Sequence, residues 1–252
     1  MGKIHWIGTG LSSIPGLRNI LAEIPDVHVW NRTEDKAVNL VGDLTNNIHK
    51  FDLKSLKRGL SRGDIVVSML PGEWHIPIAK VCIDHFAHFV SSSYISEEMQ
   101  CLHEYALANN VTLMNEVGLD PGIDHLMAHF LVHDYKKSIA YDLDNEIDFV
   151  SYCGGIPKIP NEFCYKFSWS PTGVLKALKS KARSIKDSQE LVTERPWHQV
   201  EHFVIPSEDR EQFEVYPNRD SLPFIKQYFF EDDWKIKTFV RGTLRNMGWK
   251  KA

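Results

Sequence analysis

The sequence predicts an α/β protein that begins with a doubly wound parallel sheet and continues into a second, α+β domain with a mixed sheet. Three observations predict this class. A complete βαβ unit with a glycine turn occupies Lys3–Asn31, and apolar strands then alternate with amphipathic helices to about residue 115. From about Ala140 that alternation gives way to β-rich stretches between Pro/Gly-rich loops. We therefore expect domains at residues 1–122 and 123–252.

The first βαβ unit carries an imperfect dinucleotide-binding fingerprint. The apolar run Ile4–Ile7 ends in Gly8-Thr9-Gly10, and Ser13 stands where a third glycine or alanine is usual. Glycine allows a sharp turn and lets the backbone approach a pyrophosphate, whose charge is stabilised by N–H groups at the helix N-terminus. Ser12 and Ser13 are suited to cap the helix or to donate to phosphate. The alternative is a glycine-rich turn that binds nothing.

The alternation that follows predicts six strands and the helices between them. After the first helix, which carries Ile14, Leu17, Leu21 and Ile24, helices are predicted at Glu34–Val41, Leu53–Leu60, Ile76–His85 and Glu97–Asn109. The strands are predicted at Lys3–Ile7, Val27–Asn31, Asn47–Phe51, Asp64–Met69, Phe89–Ser92 and Thr112–Asn115. Parallel strands with right-handed crossovers place their carboxyl ends at one edge, where ligands bind.

The residues after the second and third strands indicate the adenosine end of a dinucleotide. Asn31-Arg32-Thr33 lacks the acid that usually holds the ribose 2′-hydroxyl of NAD, and Arg32 offers a cation to a 2′-phosphate. This favours NADP over NAD, although Arg32 is also explained as a solvated arginine before a helix. Asp52-Leu53 lies where adenine contacts are often made, but Asp52 is equally explained as a helix cap.

Further polar residues follow the fourth, fifth and sixth strands. Leu70 and Pro71 would face the middle of the dinucleotide, and His75 is either an acid–base group or a packing residue. The hydroxyls of Ser91–Tyr94 suit a nicotinamide ribose or a substrate carboxylate. The loop Glu116–His125 combines acids and a histidine with two glycines and Pro121, which is expected to begin a helix running to about Asp134. We interpret this loop as part of a site, with a turn and capping function as the alternative.

The second half is predicted to be a domain that supplies substrate contacts. Strands are expected at Ile147–Cys153, Gln199–Ile205, Phe213–Tyr216 and Ile236–Arg241, and one helix at Pro171–Lys179. The net charge of −4, without a basic block, predicts no nucleic-acid partner. The four cysteines form no CxxC pair, and no apolar run approaches membrane-spanning length. These features predict a cytoplasmic protein with reduced thiols, no membrane partner and no metal site.

Six motifs carry a specific resemblance to a known family. They are VSSSYI (Val90–Ile95), MNEVGLDPGIDH (Met114–His125), SYCGGIP (Ser151–Pro157), YKFSWS (Tyr165–Ser170), YPNRDS (Tyr216–Ser221) and RGTLR (Arg241–Arg245). In this order they resemble the glutamate-forming saccharopine dehydrogenases. The resemblance implies a Rossmann domain followed by a mixed-sheet domain that holds the substrate. It also implies NADP-dependent interconversion, with NAD possible, of saccharopine with glutamate and 2-aminoadipate 6-semialdehyde.

The resemblance also implies functional positions. Those at the cofactor are Gly8, Gly10, Leu11, Ser12, Ser13, Asn31, Arg32, Thr33, Asp52, Leu53, Leu70, Pro71, Ser93, Tyr94, Leu119, Asp120, Pro121 and Ser170. Those at the small amino-acid substrate are Ser93, Tyr94, Cys153, Arg219 and Thr243.

Saccharopine has three carboxylates around a secondary amine, so a site for it needs cations. Arg219 could grip one carboxylate with a bidentate fork, and Arg241 or Arg245 could serve another. An alternative for Arg219 is a structural ion pair with Asp220. Hydride transfer at the carbon bonded to the amine gives an imine that water hydrolyses, so a group must move protons. Asp120 is the first candidate for this catalytic task and Cys153 the second.

Two differences from the family pattern shape the remaining expectations. Pro171-Thr172-Gly173 stands where the family usually has an arginine, and the family's chain continues well past RGTLR. We therefore expect a shortened substrate domain whose open apolar sheet face is covered in a homodimer. The alternatives to saccharopine turnover are a related amine or imine dehydrogenase, such as the carboxyspermidine type, and an NADP-binding protein without turnover.

Overall fold

The computed structural model describes residues 2–159 and 161–252, which form two compact units divided between Ile123 and Asp124. The first unit is a six-stranded, all-parallel sheet with the strand order β3-β2-β1-β4-β5-β6. Its strands are β1 (Ile4–Ile7), β2 (Val27–Asn31), β3 (Ile48–Lys50), β4 (Ile65–Ser68), β5 (His88–Ser91) and β6 (Leu113–Met114). The predicted doubly wound sheet is confirmed, because the strand order reverses at β1 and β4.

The helices of this unit are α1 (Ile14–Glu23), α2 (Glu34–Val41), α3 (Leu53–Gly59), α4 (His75–Asp84), α5 (Glu97–Gln100) and α6 (His103–Ala108), with a 3-10 turn at Gly72–Trp74. They cover both faces of the sheet because adjacent strand residues point to opposite sides. Trp6 and Val29 pack in the core that includes α1 and α2, while Ile7 and Trp30 pack in the core that includes α3 and α4. The strands are therefore apolar on both faces, as the sequence pattern indicates.

Two predicted helix boundaries are wrong. The single helix predicted at Glu97–Asn109 is divided into α5 and α6 by a turn at Cys101-Leu102, where the Leu102 N–H bonds the Met99 carbonyl. This turn lets both Met99 and Leu102 be buried. Pro121 does not begin the next helix, α7 (Ile123–Lys137), because Gly122 has a φ of 147°, which is outside the helical range.

The second unit is a mixed sheet with helices, which confirms the predicted α+β class. Beyond α7, its elements are β7 (Glu146–Cys153), α8 (Pro171–Lys179), β8 (Ala182–Lys186), β9 (Gln189–Thr193), a 3-10 turn at Pro196–Gln199, β10 (Glu201–Val204), β11 (Gln212–Pro217), α9 (Pro223–Gln227) and β12 (Lys235–Asn246). Antiparallel strands follow the order β10-β11-β12-β8-β9, and β7 pairs with β12 in parallel. Ala128 and Val132 of α7 pack on Phe149 and Phe239 of the sheet, together with aromatic residues near α9.

The hairpin of β8 and β9 and the helix α9 were not predicted from the sequence. The hairpin is closed by a two-residue turn at Asp187 and Ser188. Both residues have a positive φ, 50° and 60°, as in the turns that match the twist of hairpin strands. The flanking strands are polar, with arginine and lysine side chains in ion pairs with glutamates, so an apolar strand pattern is absent.

A buried histidine links the first strands of the parallel sheet. His5 is 1% exposed, and its Nδ1 accepts a hydrogen bond from Trp30 Nε1 at 3.1 Å, so its Nε2 donates to Asp64 at 3.1 Å. Asp64 also accepts the backbone N–H groups of Lys3 and Ser61, both at 2.8 Å. Burial lowers the pKa of His5. Burial opposes ionisation of Asp64, but these donors outweigh it and the pKa of Asp64 is lowered.

We expect the free energy of unfolding to decrease as the pH falls below about 6.5, the ordinary pKa of His5. Below that pH the unfolded chain binds a proton that the buried native ring rejects, which costs about 1.4 kcal/mol per pH unit until the lower native pKa is reached. Urea unfolding between pH 7.5 and 5 measures this slope. His5→Gln should reduce the slope, because glutamine does not titrate, while His75 and His49, whose pKa values burial also lowers, keep part of it. An equal slope in the variant would contradict the prediction.

Candidate active site

The glycine loop after β1 has the geometry that a pyrophosphate needs. Gly8 has a φ of 102°, and its N–H donates to the Trp30 carbonyl at 2.8 Å. A Cβ on Gly8 would lie 3.2 Å from the Met69 carbonyl oxygen, so a side chain is excluded there. A Cβ on Gly10 would meet nothing within 4 Å, so this position is open to a ligand. The loop therefore fits a dinucleotide phosphate at the N-terminus of α1.

Ser13 has a different role from the helix cap suggested by its sequence. Its side chain makes no capping hydrogen bond, and its hydroxyl donates instead to the carbonyl oxygens of Gly8 and Gly10, at 3.3 and 3.0 Å. Ser13 is 2% exposed, so its two hydrogen bonds stabilise the loop from its buried side, whereas Leu11 and Ser12 are exposed. A third glycine could not make these bonds.

Asn31 joins the glycine loop to the loop after β2. Its Oδ1 accepts the Thr9 N–H at 3.3 Å, and its Nδ2 donates to the Thr33 carbonyl at 2.7 Å. Arg32 and Thr33 are exposed beside it, at the carboxyl end of β2. The amide thus fixes the two loops relative to each other and leaves the guanidinium of Arg32 on the surface.

The structure shows the hydrogen bonds of two candidate residues after β3 and β4. Asp52 caps α3, since its carboxylate accepts the Ser55 N–H at 2.8 Å and the Ser55 hydroxyl at 2.7 Å, and Leu53 begins that helix. His75 is a packing residue, because its Nε2 contacts the Leu70 carbonyl at 3.0 Å and its ring packs against Phe89. Burial lowers the pKa of His75, as expected for a neutral packed ring. Leu70 and Pro71 follow β4 at the carboxyl edge.

The loops after β5 and β6 bring a tyrosine and an acid together. The Tyr94 hydroxyl donates to Asp120 Oδ1 at 2.5 Å, the short distance typical of a bond to an ionised carboxylate. Backbone bonds hold the two loops in register, from Glu116 N to the Ser93 carbonyl at 3.1 Å and from Val117 N to the Ser91 carbonyl at 3.0 Å. The loop that contains Leu119 and Pro121 is therefore anchored beside Ser93 and Tyr94.

In the second unit, β12 and its neighbours carry a row of polar side chains on one face. Alternate residues of β12 share a face, and along it Phe239 in the core is followed by Arg241, Thr243 and Arg245. Thr243 lies opposite Cys153 of β7 on one side and Tyr216 of β11 on the other. Two predicted substrate residues, Cys153 and Thr243, are therefore neighbours on this face.

The two arginines of this face have different surroundings. Arg241 is 6% exposed, pairs with Asp124 through Nη2 at 2.5 Å, and lies 3.9 Å from the centre of the Phe224 ring. Arg245 is 7% exposed, and within the described ranges 2–159 and 161–252 no carboxylate forms an ion pair with it and its Nε has no hydrogen-bond partner. A buried cation without a counter-charge is costly, so Arg245 is the better candidate for binding an anion.

The remaining predicted residues lie in loops and at a helix start. Arg219 follows β11, is exposed, and has a φ of 56°. Asp220, its predicted alternative partner, accepts a hydrogen bond from Arg183 Nη1 at 2.8 Å. Ser170 caps α8 by accepting the Gly173 N–H at 3.2 Å, and Pro171 begins that helix. Pro171-Thr172-Gly173 is thus the first turn of a helix.

The aromatic residues around Arg245 were not predicted as functional. Its guanidinium carbon lies 4.6 Å from the centre of the Tyr165 ring, 5.6 Å from Tyr216 and 5.5 Å from Trp249. Tyr216 was detectable, because it ends the predicted strand Phe213–Tyr216 and begins the motif YPNRDS. The other two were not, since their positions depend on loops that fold back onto the sheet.

A glycine loop with a positive φ at a helix N-terminus, on the carboxyl edge of a doubly wound parallel sheet, is typical of the class of dinucleotide-binding proteins. Residues 4–114 match the family model of the saccharopine dehydrogenase NADP binding domain, and residues 118–252 match that of the saccharopine dehydrogenase C-terminal domain. The chain belongs to the saccharopine dehydrogenase family. The predicted family, fold class and NADP cofactor are therefore confirmed.

Known relatives and a solved structure agree with this assignment. An alpha-aminoadipic semialdehyde synthase from Arabidopsis thaliana is 37% identical over 204 residues, which are 78% of this chain and 18% of that protein. The NADP(+), L-glutamate-forming saccharopine dehydrogenase of Schizosaccharomyces pombe is 32% identical over 265 residues, covering 98% of this chain and 55% of its own length. The structure of apo saccharopine dehydrogenase (L-Glu forming) from Saccharomyces cerevisiae matches with a TM-score of 0.82 at 31% identity, over 99% of this chain and 56% of that one. The chain spans about half the length of the two yeast relatives.

Membrane-spanning helices and metal sites are both absent from residues 2–159 and 161–252, which the structure describes. No helix there is long and apolar enough to cross a membrane. No group of three or more His, Cys, Asp or Glu side chains there is arranged to hold a metal ion.

Proposed function

We propose that this protein catalyses the NADP-dependent interconversion of saccharopine with glutamate and 2-aminoadipate 6-semialdehyde. The observation that carries the proposal is Arg245, a buried cation on the same sheet face as Cys153 and Thr243, with one donor that has no partner among the described residues. A substrate with three carboxylates supplies the anion that such a group requires. Arg219 is proposed to bind a second carboxylate from the loop after β11.

The proposed cofactor residues are those of the first unit that line the carboxyl edge of the sheet, together with Ser170. Gly8 and Gly10 allow close approach of the pyrophosphate, Leu11 and Ser12 flank it, and Ser13 fixes the loop. Bound NADP supplies the hydride acceptor or donor of the reaction. Asp52 is proposed to shape the adenine region only through its cap on α3, because its carboxylate oxygens both bond Ser55.

The proton-transfer group is proposed to be Asp120. Oxidation at the carbon bonded to the amine gives an imine, and water must be deprotonated as it adds to that imine. The carboxylate of Asp120 can accept this proton, and the Tyr94 hydroxyl orients it through the bond at 2.5 Å. Cys153 is the second candidate, because it is partly exposed and lies beside Thr243 on the proposed substrate face.

An assay of the purified protein tests the function directly. NADP(+) reduction is followed at 340 nm with saccharopine, with carboxyspermidine as the rival amine, and with NAD(+) in place of NADP(+). The proposal predicts turnover of saccharopine with NADP(+). Turnover of carboxyspermidine alone would assign a related amine dehydrogenase, and NADP(+) binding without turnover of either amine would assign a non-catalytic binding protein.

Arg32 is proposed to select NADP by contacting the 2′-phosphate. Arg32→Asp should weaken NADP binding by about 1–3 kcal/mol, the size of a lost charge-assisted hydrogen bond, because it also places a negative charge near the phosphate. NAD binding should change much less. Calorimetric titration of both cofactors measures this, with the exposed Arg62→Asp as a charge-matched control. Equal losses for the two cofactors would show that Arg32 does not contact the 2′-phosphate.

We also propose that the protein is a cytoplasmic homodimer. The four cysteines form no disulfide with one another, which suits a reducing compartment. From the sequence, we expect an apolar sheet face of the second domain in the interface. The exposed apolar side chains that support a dimer lie on α7. Leu126, Met127, Phe130 and Leu131 are 55–70% exposed there. Light scattering after size exclusion should give twice the mass of the chain, and Phe130→Lys should reduce it to the mass of a monomer.

A further inference from the structure

The guanidinium of Arg245 is enclosed by aromatic rings from three separate segments. Tyr165 belongs to the loop after β7, Tyr216 to β11, and Trp249 to the turn after β12. All three ring centres lie within 5.6 Å of the guanidinium carbon, inside the range of cation–π attraction. Its Nη1 donates to the Leu244 carbonyl at 3.3 Å, and among the described residues its buried Nε has no hydrogen-bond partner. The guanidinium is therefore held by its surroundings, and its hydrogen-bonding capacity is not fully used.

A buried acid holds the turn that carries Trp249. Glu214 lies directly opposite Arg245 in the pairing of β11 with β12, yet its carboxylate accepts the backbone N–H groups of Gly248 at 3.2 Å and Lys250 at 2.8 Å. These bonds hold the turn over the sheet, and the Trp249 ring stacks on Tyr216 with centres 5.0 Å apart. Glu214, the acid opposite Arg245 in the strand pairing, thus stabilises the turn that carries Trp249. Among the described residues it forms no ion pair with Arg245.

Tyr216 connects the enclosure to the row of substrate residues. Burial raises the pKa of the Tyr216 hydroxyl, and this rise is opposed by the positive charge of Arg245 and by hydrogen bonds with Thr243 and Arg245. The phenol therefore stays protonated and neutral at physiological pH, and it links the side chain of Arg245 to that of Thr243. The orientation of the guanidinium thus depends on Tyr216 and on the indole stacked against it.

We infer that Trp249 is a positioning residue, which holds the Arg245 guanidinium in the orientation that receives a substrate carboxylate. The inference rests on the proposed function for the identity of the substrate but not for the enclosure itself. An aliphatic side chain at position 249 would leave the guanidinium free to rotate or to become hydrated. Binding of the carboxylate would then include the entropy cost of ordering the arginine.

Two measurements on the full chain test the inference. The first is the rate at which phenylglyoxal, an arginine-selective reagent, labels Arg245, followed by peptide mass spectrometry with the exposed Arg32 as internal reference. The second is the steady-state kinetics of saccharopine oxidation with saturating NADP(+). The variants are Trp249→Leu, Trp249→Phe, which keeps a ring, and the matched control Trp197→Leu. Trp197 lines the same surface groove as Trp249, but its ring contacts Arg195 and not Arg245.

In Trp249→Leu, phenylglyoxal should label Arg245 faster than in the wild type. The KM for saccharopine should rise by about three- to thirty-fold, the size of one desolvated cation–π contact, with little change in kcat. Trp249→Phe should restore most of the affinity, and Trp197→Leu should match the wild type in both measurements. Equal labelling of Arg245 in Trp249→Leu and wild type would overturn the inference, and so would faster labelling with an unchanged KM. If the wild type did not turn over saccharopine, the proposed function would fall, and the labelling rates alone would decide whether Trp249 holds Arg245.

Discussion

Arg241→Met is expected to lower the free energy of unfolding by about 3–5 kcal/mol, whereas Arg245→Met should have little effect on stability and should strongly impair substrate binding. Both arginines are buried on the same face of β12 and are four residues apart. Removing Arg241 leaves the carboxylate of Asp124, its partner at 2.5 Å, buried without that charge. Arg245 forms no ion pair with a carboxylate in the part of the chain that the structure describes, so its removal breaks no ion pair.

The two variants are matched in chemistry, so each is the control for the other. Urea unfolding gives the stability of each protein, and kinetics with saccharopine give KM well below the unfolding transition. For Arg245→Met we expect KM to rise by about 10- to 150-fold, the range for losing a hydrogen bond to a charged group. NADP binding should be unchanged, because its proposed residues lie mainly in the first unit. A large loss of stability in Arg245→Met with unchanged KM would assign Arg245 a structural role.

Asp120→Asn should lower kcat for saccharopine oxidation by about 10²–10⁴, the usual contribution of a general acid–base group. Asparagine keeps the size of the side chain, and its carbonyl oxygen can still accept the hydrogen bond from Tyr94, so the two loops should remain in place. Only the ability to accept a proton is lost. The change should therefore appear in kcat, with small effects on stability and on NADP affinity.

Tyr94→Phe separates orientation from proton transfer. It removes the hydroxyl that bonds Asp120 but leaves the carboxylate, so kcat should fall by about 10- to 100-fold, less than in Asp120→Asn. Pre-steady-state mixing with saccharopine shows whether hydride transfer or a later step is slowed. If Asp120→Asn retained wild-type kcat and Cys153→Ala did not, Cys153 would take the place of Asp120 as the catalytic group.

The sequence by itself determined the first unit almost completely. All six of its strands and the helix at Glu34–Val41 could be located, because hydrophobic residues recur every two residues in strands and every 3.6 residues in helices. The glycine loop, Asn31 and Arg32 were identified because ligand positions in this fold follow the ends of strands. The errors in this unit concern helix boundaries. One is the turn at Cys101-Leu102, which interrupts a predicted helix and allows Met99 and Leu102 both to be buried.

Only the tertiary structure decided the roles of individual polar side chains. The sequence allowed two equal explanations for Asp52, and its bond to the Ser55 N–H shows that it caps a helix. The Ser13 hydroxyl donates to the Gly10 carbonyl and so stabilises the glycine loop. The sequence did not distinguish Arg241 from Arg245, because the predicted strand Ile236–Arg241 ended before Arg245, whereas the observed β12 carries both on one face. Their difference arises from residues 117 positions away for Asp124 and 80 positions away for Tyr165. The charge state and partners of a buried group are set by whatever the fold brings within a few ångströms, and local periodicity contains no information about those neighbours.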